Sequence, residues 1–226
     1  MTDTRTLSNV KTHGEGISPG VGFTSETIPE AKSSQTGVSV RYVPDNYKSW
    51  YVFRASYGRE DKASDYLVED GTYVYIAKRM VRKQEGGKQK TVFESLIPNI
   101  LFAYTTSVKA DEYVKNTPSL FFLSYYLNHF VLNEHKKNPP LTIPCHEMEN
   151  FICATSNRNE HLMSVRLSQC HFKKGELVKV IEGSFQGVIG KVARVSGQQR
   201  VIITIENLCS IATAYIPTAF LEKMIQ

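Results

Sequence analysis

The spacing of apolar residues changes several times along this chain, and each change marks an element. Ser49 to Ser56 reads SWYVFRAS, dense in aromatic and β-branched residues, and predicts a strand. Between Gly58 and Asp70, Ala63, Tyr66 and Leu67 fall at helical spacing with charges on the opposite face, and Gly71 suits the helix end. Thr72 to Lys83 alternates Tyr73, Tyr75 and Ala77 with Val74, Ile76 and Lys78, a second strand. Gly86-Gly87 makes a hairpin tip, and Lys88 to Glu94 returns from it. Asn99 to Thr106, NILFAYTT, predicts another strand.

Ser107 is placed to cap a helix running to Asn116, with Ala110, Tyr113 and Val114 on one face and Pro118 ending it. Ser119 to Leu132 is aromatic-rich and fits either one or two strands bent near Asn128 or a helix. After a polar turn, Asn133 to Pro140, Pro144 opens a short amphipathic helix carrying Met148, Phe151 and Ile152. Thr155 to His171 is polar and reads as a linker, with a short ordered piece around Leu162 to Leu167. Helices interspersed with hairpin-connected strands predict an α+β domain with helices packed on a mostly antiparallel sheet.

A change of pattern follows. Phe172 to Val192, FKKGELVKVIEGSFQGVIGKV, opens with a basic turn, Lys173-Lys174-Gly175. A short alternating strand comes next, then a turn at Glu182-Gly183-Ser184. Gly187 and Gly190 stand where a small, sharply bent sheet needs positive φ or close backbone approach. With Lys191 to Val195, Arg200 to Glu206 and Ile211 to Ile216, about five short strands predict a small β-barrel.

Composition narrows the setting. The 226 residues carry 41% hydrophobic positions, enough for a real core, and a net charge of +5, which tolerates nucleic acid without demanding it. Residues 1–45 are rich in Ser, Thr and Gly, nearly neutral and without period, and predict a disordered leader. Four cysteines, no opening signal peptide and no membrane-length apolar run point to a cytoplasmic protein with free thiols and no membrane partner.

The arrangement G-x-x-V-x-V-x-x-G-x-F-x-G-x-x-G-x-V, here Gly175, Val178, Val180, Gly183, Phe185, Gly187, Gly190 and Val192, resembles the KOW motif. The preceding region is similar to the NGN domain of the NusG/RfaH superfamily through SWYVFRASYGREDKASDYL, FESLIPNILFAY and PLTIPCHEMENFI. The middle stretch departs from the superfamily's F-P-G-Y-V-F: Asn99 stands where Gly is usual and Ile100 where Tyr is usual. SLFFLSYYLNHF and VIITIENLCSIATAYIPTAFLEKM look most like the UpxY-type antiterminators of capsular polysaccharide loci.

The resemblance implies an NGN-like domain over 46–155, a linker over 156–171 and an SH3-like KOW β-barrel over 172–226. It implies a monomeric elongation or antitermination factor gripping the clamp helices of RNA polymerase with an apolar patch. Ile97 and Ile100 match that patch, with Tyr73, Tyr75, Phe121, Phe122 and Tyr125 as further candidates. Lys78, Arg79, Arg82, Lys83, Lys88 and Lys90 sit on the predicted hairpin against Glu85 alone, a phosphate-attracting ribbon. The resemblance sets that ribbon near upstream or non-template DNA. It also implies that the KOW domain meets a ribosomal small-subunit protein or a termination factor, with Phe185 in the contacting loop. The alternative is a ribosome- or RNA-binding KOW protein without polymerase contact.

Catalysis has little support. Cys145-His146 and Cys170-His171 are adjacent pairs without the spacing of a zinc site, so no metal is expected. Neither G-x-G-x-x-G nor G-x-x-x-x-G-K-[ST] occurs, so no nucleotide cofactor is expected.

Overall fold

The computed structural model describes residues 31–32, 39–40 and 45–224. Its first elements are a short antiparallel pair, β1 (Ala31–Lys32) and β2 (Ser39–Val40), inside the segment expected to be a leader. The remainder of that expectation lies outside the described residues.

The N-terminal sheet is built from β3 (Ser49–Ala55), which leads into α1 (Glu60–Glu69) and β4 (Tyr73–Tyr75). The chain then leaves this sheet for a separate antiparallel ribbon, β5 (Lys78–Glu85) and β6 (Lys88–Ser95), turning at Gly86-Gly87. It returns as β7 (Ile100–Thr105), α2 (Ser107–Asp111) with a π turn over Glu112–Asn116, β8 (Leu123–Tyr125) and β9 (Thr142–Ile143). The strand order is β4-β7-β3-β8, with β9 also paired to β3. One strand was expected over Thr72 to Lys83; the chain instead breaks at Ile76-Ala77, where it exchanges β7 as partner for β6. The helix cap also differs by one residue: the Thr106 hydroxyl, not Ser107, accepts from Lys109 N–H.

Strand parity assigns the two faces. Tyr51, Phe53 and Ala55 of β3, with Leu101, Ala103 and Val74, pack beneath α1 and α2. Trp50 and Val52, with Ile100, Phe102, Tyr104 and Tyr73, face the other way, onto α3 (Cys145–Thr155).

Beyond α3 stand β10 (Met163–Val165), β11 (His171–Val180), β12 (Ile189–Val195), β13 (Gln198–Ile205), β14 (Cys209–Ala212) and β15 (Leu221–Lys223). They form one antiparallel sheet in the order β10-β14-β13-β12-β11-β15. A closed barrel was expected. Among the described residues no ladder joins the two edge strands, each only three residues long, so the sheet is open. The expected basic turn at Lys173-Lys174-Gly175 lies instead within β11, where the register shifts between Phe172 and Leu177. Strand β10 falls inside the stretch read as a polar linker and coincides with its expected ordered piece.

Gly190 shows why the motif glycines are needed. A Cβ there would press into the Ile202 carbonyl oxygen and lie 2.6 Å from a Val201 methyl, so β12 and β13 approach too closely for any side chain.

Helix α3 therefore lies between two sheets. Phe151 meets Phe102 at 5.4 Å and Tyr75 at 6.5 Å between ring centres on the N-terminal side. On the other side the Asn150 amide donates to Ile189 O (2.7 Å) and accepts from Ile189 N–H (2.8 Å). Burial on both sides explains why His146 alone in this helix is exposed. A single apolar cluster runs from Trp50 and Phe102 through Met148 and Phe151 to Val180, Val201 and Ile211.

Candidate functional site

The expected polymerase patch does not form as one surface. Ile100, Tyr73 and Phe122 are buried at 6%, 3% and 4% exposure, which corrects the expectation that they are displayed. The reason is parity for two of them: Ile100 and Tyr73 point to the face that α3 covers. Phe122 packs into the opposite core with Leu120 and Leu123. Burial pushes the Tyr73 hydroxyl up to about 12.

The other patch residues lie nearer the surface. Ile97 is half-buried against the shared cluster, in the turn where Ile100 N–H donates to Ile97 O. Asn99 in that turn has φ 64°, which accounts for Asn at a position where the family stretch has Gly. Its side-chain oxygen also accepts from Gly58 N–H at 2.8 Å, tying the turn to the approach of α1. Tyr75 is half-buried and donates to the Thr155 hydroxyl, which donates in turn to Phe151 O. Its hydroxyl is pushed up by burial. Tyr125 stacks on Phe53 and donates to Asp111, and burial followed by that bond raises its hydroxyl.

Phe121 is 76% exposed. The Arg59 guanidinium lies 5.4 Å from its ring centre and 5.7 Å from that of Tyr57, an exposed tyrosine at φ 62°. Tyr57 and Arg59 were not singled out in the sequence. Their helical neighbourhood hid a turn conformation that only the Asn99 tether reveals.

The basic hairpin forms as expected, but its charge is more balanced. Lys78 pairs with Asp61, Arg82 with Glu160, Lys83 with Glu94 and Lys90 with Glu85. Three of these carboxylates were not counted in reading the hairpin's charge. Arg79 donates to Leu162 O, so the ribbon's base is anchored on the 158–162 segment. Met80 N–H adds a bond to Arg158 O, and the Arg158 guanidinium covers the Phe93 ring at 5.0 Å. Register sorts what remains: Arg79, Lys83, Lys88 and Lys90 share one face with Glu85 and Glu94, while Lys78 and Arg82 share the other with Met80 and Phe93. With Asp61 and Glu160 set against Lys78 and Arg82, the first face carries the excess of positive charge.

The residues of the KOW-like motif lie in β11, in β12 and in the loop that joins them. Val178 pairs with Gly190 and Val180 with Leu221, and Val192 is buried. Gly183 and Gly187 have φ 85° and 90°. Gly175 lies in β11. Phe185 was expected in an accessible loop. It is 4% exposed and belongs to the cluster shared with α3, because its loop is held against that helix. Asn157 donates to Ser184 O at 2.8 Å, and the Cys153 thiol lies 3.5 Å from Gln186 O. Asn150, Cys153 and Asn157 were not read as contact residues, since polar side chains on a helix give no sign of a second sheet above it. Burial raises the Cys153 thiol.

Among the described residues no group of three or more His, Cys, Asp or Glu is arranged to hold a metal ion, and no helix is long and apolar enough to cross a membrane. The described fold pairs an α+β layer with a second, antiparallel sheet.

Residues 48–152 match the NusG family. The family is described as transcription termination factor nusG, and the matched span runs from the start of β3 into α3. None of the curated proteins compared matches the chain. The NusG match supports a role in transcription elongation or termination in general terms and, with it, interaction with RNA polymerase. That family acts without catalysing a reaction of its own.

Proposed function

We propose that this chain is an elongation and antitermination factor that binds RNA polymerase through residues 46–155 and suppresses pausing and termination at a capsular polysaccharide operon. The observation that carries the reading is the NusG match over 48–152, on a sheet flanked by α1, α2 and α3. A factor of this kind acts by binding one polymerase state more tightly than another, the only way a ligand shifts such an equilibrium. Ile97, with the half-buried Tyr75 on the same core, supplies the clamp-helix contact; Tyr125 packs on the opposite core, and the exposed Phe121 is a separate candidate. The positive face of the β5–β6 ribbon approaches upstream or non-template DNA.

The C-terminal sheet meets a ribosomal small-subunit protein or a termination factor. A partner that takes hold of Phe185 must first part it from α3. The operon and the UpxY-type character rest on the likeness of the aromatic-rich stretch and of the chain's end.

Transcription by purified bacterial RNA polymerase through an intrinsic terminator tests this reading. The full chain is expected to raise read-through and shorten pauses. Unchanged read-through and pausing on templates with and without a capsular leader would reject it.

A further inference from the structure

The segment after β8 presents a surface that neither sheet uses. Its neck is closed by the isolated bridge between Leu127 and Pro140. Three asparagines hold its path. The Asn128 side chain accepts from Phe130 N–H, and that of Asn133 accepts from His135 and Lys137 N–H. The Asn138 amide donates to the carbonyls of both Asn128 and Val131 at 3.0 Å. Within this frame Phe130 is 78%, Val131 49% and Leu132 64% exposed.

Three neighbouring large apolar side chains in water are unfavourable, and a loop whose only task is connection is ordinarily polar. Here the backbone is ordered by side-chain amides, not by seating those apolar groups in a core. Much of the ordering needed for binding is therefore already made in the free protein. The flanks carry His129, His135, Lys136 and Lys137 against Glu134. Such a rim favours a partner with carboxylates around an apolar pocket. It disfavours a second copy presenting the same basic rim. A lipid surface would match the charge but requires no fixed placement of three anchors, whereas a protein pocket does.

We propose that the 127–140 loop is a second polymerase contact, with Phe130 and Leu132 inserting into a carboxylate-rimmed apolar pocket on RNA polymerase. The proposal rests on the reading of the chain as a polymerase-binding factor. It adds an anchor on a different element from Ile97.

The test is equilibrium binding of the full chain to purified bacterial core RNA polymerase. The wild type is compared with Phe130→Ser/Leu132→Ser and with Lys136→Glu/Lys137→Glu, and thermal unfolding is followed for each. Both variants are expected to keep the wild-type unfolding midpoint and to bind at least about tenfold more weakly. Wild-type binding matched by the charge-reversed variant would overturn the loop contact and leave the elongation-factor reading standing. The same holds for a folded serine variant. Absence of binding by the wild type would overturn both. Phosphatidylglycerol vesicles and sedimentation supply the remaining arms. Loss of vesicle binding or of self-association in the serine variant, with polymerase binding intact, would assign the loop to a membrane or to a second copy and overturn the proposal.

Discussion

The α3 seam and the β5–β6 ribbon solve opposite problems. The seam takes a helix with sheets on two sides and satisfies its polar groups internally, as in the two Asn150 bonds to Ile189. The ribbon has no core of its own and keeps its shape through register, four ion pairs and an anchor at its base. Side chains in the seam set stability. Side chains on the ribbon are free to set charge, because exposed ion pairs contribute little to folding. This division predicts that the two regions fail differently when altered.

The largest effect belongs to Phe151, which touches the N-terminal sheet and lies in the cluster both sheets share. Phe151→Ala is expected to cost about 3–5 kcal/mol in denaturant unfolding and to loosen both sheets together. Retention of the C-terminal sheet's amide protection in that variant would show that the seam does not couple them. Gly190→Ala comes next, at about 1–3 kcal/mol, because the new methyl meets backbone that cannot move aside. A neutral result would deny the close approach of β12 and β13.

Asn150→Ala sharpens the comparison. It leaves the N–H and C=O of Ile189 without their partner and is expected to cost about 1–2 kcal/mol. The ribbon should behave otherwise. Changing Lys83, Lys88 and Lys90 to Gln is expected to leave the unfolding midpoint nearly unchanged. The salt dependence of single-stranded DNA binding should become shallower by about 0.7 for each phosphate that is no longer neutralised. A stability loss as large as that of Asn150→Ala would erase the distinction between the two regions.

The smallest effect is a pH dependence. The Lys109 ammonium and the Tyr113 hydroxyl hold the Asp70 carboxyl below its usual range, and Lys115 and Tyr125 do the same for Asp111. Depressed carboxylates stabilise the fold above their unfolded pKa of about 4, and that contribution is lost as pH falls through the folded values. Both groups are largely solvated, so the sum is below about 1 kcal/mol. Asp70→Asn with Asp111→Asn should flatten the acid limb of a stability profile; an unaltered limb would remove these pairs from the account.

Much of the fold was legible because local pattern and final partner agree. The Gly86-Gly87 tip, the strand at Ser49 and the helix after Pro144 all formed where periodicity places them. Periodicity does not record which partner a strand takes. The run Thr72 to Lys83 alternates without interruption yet serves two sheets, and Tyr73 and Ile100 read as surface residues yet face α3. The hairpin's cations were plain in the sequence. The carboxylates of Asp61 and Glu160 were not, because they arrive from distant segments. Phe130 to Leu132 were read as part of a strand or helix, since aromatic content signals secondary structure as readily as it signals exposed anchors.

The account depends most on polymerase contact through the N-terminal sheet. The most direct measurement is equilibrium binding of the full chain to purified bacterial core RNA polymerase, with Ile97→Asp alongside and circular dichroism confirming that both are folded. Wild-type binding that weakens at least about tenfold in the variant is the predicted result. A folded wild-type chain that does not bind, or a variant that binds as well as the wild type, would contradict the claim.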